Sequence, residues 1–131
     1  MKAYNSFRLI GIVYKDSKTT FDINGSPITR FTLAIRNRKD NSLSKYYVPL
    51  IAYGELGNEC AVLCRNGNII CVEGEISTKD IYNSTTGIND ILLSFNVTDV
   101  MLLHKATKKP VSNKEFNNIV RLYKKWKRLE N

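Results

Sequence analysis

The chain has 131 residues, 43% hydrophobic and 24% charged, enough for one domain with a buried core and too few for two. Its net charge of +8 is unevenly held, because residues 1–103 carry 11 Lys+Arg against 10 Asp+Glu whereas residues 104–131 carry 9 against 2. No apolar run reaches the length of a membrane span and no basic-then-apolar leader opens the chain, so the sequence reads as cytoplasmic.

The first predicted element is a strand in which Phe7, Leu9, Gly11 and Val13 alternate with Arg8, Ile10 and Ile12. Asn24-Gly25-Ser26-Pro27 then supplies a turn signal. Over Arg30 to Arg36 the apolar set Phe31, Leu33, Ile35 alternates with Arg30, Thr32, Ala34, Arg36, the period of a strand with one buried face. A polar loop leads to a third strand, Lys45 to Tyr53. From Glu55 to Arg65 the residues Leu56, Cys60, Leu63 and Cys64 recur at helical spacing, and Asn66-Gly67 marks the helix exit. Ile70 to Ile76 and Asp90 to Val97 supply strands four and five, with Thr78 to Gly87 expected as an extended hairpin tip.

Three strands, a helix and two strands is the order of an all-β, five-stranded oligonucleotide-binding barrel with minor α content. The order of Asn5-Ser6-Phe7-Arg8-Leu9-Ile10-Gly11, Phe31-Thr32-Leu33-Ala34, Tyr53-Gly54-Glu55-Leu56 and Val72-Glu73-Gly74-Glu75 resembles that of the bacterial single-stranded DNA-binding protein family. The resemblance runs from about Asn5 to Leu103 and implies the same fold, together with non-enzymatic binding of single-stranded DNA and self-association. It places a barrel domain at 1–103 and leaves a basic extension at 104–131.

If Val48, Leu50 and Ala52 face the core, Tyr47, Pro49, Ile51 and Tyr53 face outward. Two tyrosines displayed beside basic residues suit a sequence-tolerant single-strand binder, because every base offers a π-face. The resemblance implies stacking roles for the same two tyrosines and makes Tyr82, in the hairpin, a further candidate. It also puts Lys39 where relatives carry another aromatic. Arg30, Arg36, Arg38, Lys39, Lys45, Arg65 and Lys79 are candidates for a phosphate-following track.

The carboxyl-terminal stretch lacks the acidic tip that the family commonly carries, which fits a phage- or plasmid-type variant. Ser112 and Glu115 form a capping-box pattern that should start a helix. Phe116, Ile119, Val120, Tyr123 and either Trp126 or Lys127 follow at helical spacing, with Arg121, Lys124, Lys125 and Arg128 on other faces. Such a helix can dock on its own barrel, associate with another copy, bind single-stranded or duplex DNA, or lie on an anionic membrane surface. Lys124, Lys125, Trp126, Lys127 and Arg128 are therefore both docking and secondary DNA-binding candidates.

No catalytic pattern, phosphate-binding glycine loop or cofactor motif is present in the sequence. Cys60, Cys64 and Cys71 lack C-x-x-C spacing and read as reduced thiols, the first two as core residues rather than ligands of a metal shared with His104. The expected role is coating or protecting exposed strands during replication, recombination or transfer of a mobile element. A primosomal-type protein-interaction module and a small nuclease are the alternatives.

Overall fold

The computed structural model describes residues 4–36 and 45–130. The elements are β1 (Phe7–Phe21), β2 (Pro27–Arg36), β3 (Lys45–Tyr53), α1 (Glu55–Leu63), β4 (Ile69–Asn83), β5 (Ile88–His104) and α2 (Asn113–Glu130). The sheet closes on itself in the order β1-β2-β3-β5-β4, with a parallel bridge from Ile51 to Asn96 completing the ring. This is the oligonucleotide-binding fold that the element order predicts.

One long strand joins the two halves of the ring. Phe7 to Ile12 of β1 pair with β4, and from Ile12 onward β1 pairs with β2. The ladder breaks between Tyr14 and Lys18, where Lys15 takes a positive φ of 65°. A non-glycine residue is rarely left-handed, and hydrogen bonds hold this one. The Lys15 amide donates to Asn66 Oδ1 at 2.9 Å, the Asn66 amide donates to Asp16 Oδ1 at 2.8 Å, and the Ser17 amide donates to the Cys64 carbonyl at 2.9 Å. The bulge is thus fastened to the exit of α1.

Val13, Phe31, Leu33, Leu50, Ala52, Ile70, Val72, Val97 and Val100 fill the ring, and Cys60 of α1 and Cys64 just past its end plug it. The helix comes close because Gly57 has no side chain: a Cβ there would lie 3.0 Å from the Ala52 carbonyl oxygen. Buried Thr29 donates to the Gly57 carbonyl at 2.7 Å and shares a 2.8 Å hydrogen bond with Thr19, so its hydroxyl is satisfied. At Gly11 a Cβ would meet the Ala34 carbonyl oxygen and Ile35 Cδ1, both at 2.7 Å.

The strands are longer than the hydrophobic alternation predicts. The β4–β5 ladder continues to Asn83↔Ile88, so the expected tip at Thr78 to Gly87 is instead a two-stranded arm closed by a turn at residues 84–87. Thr78, Lys79 and Asp80 keep the ladder because Leu93, Leu92 and Ile91 stand opposite them as cross-strand partners. Conversely, α1 ends at Leu63, short of Arg65, and Gly67 (φ 89°) donates its amide to the Val13 carbonyl.

The tail helix is docked. Ile69, Phe116 and Val120 form a second apolar cluster outside the ring, joined by Ile10, Ile12, Leu103, Val111 and Ile119. This explains why Leu9 to Val13 read as a nearly unbroken apolar run: Leu9 and Val13 face the interior, while Ile10 and Ile12 lie under α2. At the helix start the Glu115 amide donates to Ser112 Oγ at 3.2 Å, and the Ser112 hydroxyl lies 3.3 Å from the Glu115 carboxylate. The capping pattern is therefore met at the hydroxyl, with the carboxylate turned to it rather than to the backbone.

Candidate nucleic-acid interface

The outer face of β1, β2 and β3 can be read row by row from the registers. Ile12, Ala34 and Tyr47 share one row, Tyr14, Thr32 and Pro49 the next, then Lys18, Arg30 and Ile51, then Thr20, Ile28 and Tyr53. On β3, Leu50 and Ala52 are buried, whereas Tyr47 and Tyr53 are 56% and 55% exposed. Six residues at ~3.3 Å each separate the two rings by roughly 20 Å along the strand. Pro49 and Ile51 fill the interval on β3, in rows with Thr32 and Arg30 of β2.

A third ring belongs to this face. Tyr14 meets Tyr47 edge-on across β2, with centroids 5.1 Å apart and planes at 66°, and the Lys15 ammonium lies 5.3 Å from the Tyr14 centroid. Tyr14 and Lys18 are absent from the sequence-derived candidates. Extending the β1 alternation past Val13 would have found Tyr14, but the bulge hides the register beyond it. Arg30 is exposed beside Ile51 and reaches Thr20 Oγ1 at 3.5 Å, so rings and cations are interleaved on one surface.

The other candidates divide. Lys45 stands opposite Arg36 at the end of the β2–β3 ladder and is exposed. Arg36 is half-buried, its guanidinium 4.7 Å over the Phe116 ring, so it clamps α2 as well as edging the face. Arg65 does not join the face. It forms a 3.0 Å ion pair with Asp16 at the bulge and borders a cleft with Leu102 and Lys105. Lys79 and Tyr82 lie three residues apart on β4, opposite Leu92 and Asn89, and hence on opposite faces of the arm. Tyr82 shares its face with Thr78, Asp80 and Ile91. Arg38 and Lys39 fall outside the described residues.

On α2 the inward stripe is Phe116, Val120 and Tyr123, all buried. The Tyr123 hydroxyl lies 3.4 Å from Cys71 Sγ, and burial together with that hydrogen bond pushes its pKa up to about 12. Burial likewise raises the Cys71 thiol. Of the two alternatives for the end of the stripe, Lys127 is half-buried and Trp126 is 42% exposed, with the Lys127 ammonium 5.5 Å over the indole. Lys124, Lys125 and Arg128 are exposed.

Cys60 and Cys64 are wholly buried in the core. The hydrogen bond from Cys60, and then burial, push the Cys64 thiol upward, so that sulfur stays protonated and is a poor ligand. Among the described residues no cluster of three or more His, Cys, Asp or Glu residues could hold a metal ion.

Residues 4–103 match the model of the single-strand binding protein family. Over 84 residues the chain is 26% identical to a protein of Thermotoga maritima called single-stranded DNA-binding protein, and the matched stretch covers 60% of this chain and 60% of that relative.

Proposed function

Because this chain belongs to the single-strand binding protein family, we propose that it binds single-stranded DNA with little sequence preference and that the outer face of β1, β2 and β3 is the binding surface. One observation carries the assignment: Tyr14, Tyr47 and Tyr53 are exposed together on that face, beside Lys18, Arg30 and Lys45. Stacking on such rings contributes roughly 1–3 kcal/mol per base and is indifferent to base identity. The cations neutralise phosphates and make affinity salt-dependent. The Lys79 and Tyr82 faces of the β4–β5 arm can each hold a strand leaving the sheet, but not with both side chains on one side of it.

The role that follows is coating and protection of exposed strands in replication, recombination or the transfer of a mobile element, in the cytoplasm. Self-association is part of the same reading. Ile88 and Leu92 on one face of the arm are 61% and 53% exposed, and Ile91 and Leu93 on the other are 67% and 63% exposed, apolar surface that a second copy would cover.

Titration with oligo-dT, oligo-dA and a duplex at two salt concentrations tests the assignment. Comparable binding of both homopolymers, weaker duplex binding and a loss of affinity with salt are expected. Salt-independent affinity, or duplex preferred to single strands, would remove it.

A further inference from the structure

Helix α2 has two unlike flanks. Its apolar stripe is seated on the sheet, from Phe116 against Arg36 of β2 to Tyr123 against Cys71 of β4. To one side of that stripe lie Ile119 and Trp126. To the other lie Asn117, Arg121, Lys124 and Arg128, with Lys125 just beyond, bordering a groove of about 490 Å³ whose floor includes Val120.

The cationic flank is not neutralised from within. Arg121 hydrogen-bonds the Asn118 side chain at 3.2 Å, and among the described residues none of Arg121, Lys124, Lys125 and Arg128 forms an ion pair with a carboxylate. Like charges three and four residues apart destabilise a helix, here at 121, 124, 125 and 128 in succession. An anion with regularly spaced charges relieves that repulsion.

The direction of the flank decides which anion. A right-handed helix running from β2 toward β4, with Val120 facing the sheet, turns the Arg121 side toward the end of the β2–β3 ladder, where Arg36 stands opposite Lys45. A DNA strand followed along β3 from Tyr53 past Tyr47 to Lys45 arrives there. We propose that Arg121, Lys124, Lys125 and Arg128 form a second phosphate track that receives the same single strand as it leaves the tyrosine face, making the docked tail part of the binding site. The inference rests on the tyrosine face being the primary site.

The test compares oligo-dT of about 8 and about 20 nucleotides, spanning the site sizes usual for such domains, on the full chain and on Arg121→Ala/Lys124→Ala/Arg128→Ala. All three side chains are exposed, so the fold should survive, as circular dichroism would show. The variant should match the parent on the short oligonucleotide, lose about tenfold on the long one, and show a salt slope there smaller by about 2, near 0.7 for each of three lost phosphate contacts. The charge-preserving Arg121→Lys/Arg128→Lys should bind the long strand like the parent.

Equal long-strand affinity and salt slope in the parent and the triple variant would overturn the track while leaving the tyrosine face intact. No binding of either length by the parent would remove the primary reading instead. Loss of duplex binding alone, with single-strand behaviour unchanged, would assign the flank to a duplex and contradict the proposal.

Discussion

Tyr14 and Tyr47 meet edge to face across β2, 5.1 Å between centroids, although 33 positions of sequence separate them. The contact ties the bulged part of β1 to β3 and sets one ring against another on the outer face. Edge-to-face pairs contribute roughly 0.5–1.5 kcal/mol beyond burial. Tyr14→Ala should therefore lower stability by about that amount and also weaken single-strand binding, through the lost ring and through a Tyr47 freed to turn. A double-mutant cycle with Tyr47→Ala, read by urea midpoint and by oligo-dT affinity, should show coupling in both; strict additivity would separate the two rings.

The close approach at Gly11 predicts a backbone-limited substitution. A methyl there meets the Ala34 carbonyl oxygen and Ile35 Cδ1 at 2.7 Å, and the carbonyl belongs to a strand paired on both sides, so it yields little. Gly11→Ala should destabilise by roughly 1–3 kcal/mol, the range for overpacking. An unchanged urea midpoint would mean that β2 shifts freely.

Phe116 anchors the tail. It is 8% exposed within a cluster of Ile69, Val120 and their neighbours and carries the Arg36 guanidinium on its ring. Phe116→Ala should cost about 3 kcal/mol, the low end for Phe truncation because the cluster is peripheral, and should increase proteolysis between His104 and α2. Protease resistance equal to the parent's would show that α2 stays seated without this ring.

Alkaline pH should loosen the same contact. Tyr123 is raised from 10.0 to about 12 and the Cys71 thiol is raised from 9.0, so the fold favours the protonated forms of both. Their contribution is fully present below the unfolded values and is lost as pH rises through the folded ones. Stability should fall from about pH 9 toward pH 12, and Tyr123→Phe should remove the tyrosine part of that dependence. A parent whose melting temperature is flat between pH 8 and pH 11 would contradict the assignment.

The physics that was legible in the sequence is mainly periodicity. Leu50 and Ala52 point in and Tyr47 and Tyr53 point out because a strand has period 2, and that alone orients the central part of the face. What stayed hidden depends on partners distant in sequence. Lys18 lies beyond a bulge made by Asn66 and Asp16, which no local pattern announces. Arg36 and Arg65 are indistinguishable as sequence, yet one lies over Phe116 and the other is taken by Asp16. The stripe of α2 showed that it must be covered, while the receiving surface of Ile10, Ile12 and Ile69 is assembled by three-dimensional pairing of β1 with β4.

Base binding by the tyrosines of the β1–β2–β3 face is read from the anisotropy of labelled oligo-dT on Tyr47→Ala/Tyr53→Ala. With the fold intact by circular dichroism, the variant should bind at least about thirtyfold more weakly than the parent, two stacking contributions of roughly 1 kcal/mol or more each. A folded double variant that retains the parent's affinity would contradict the account.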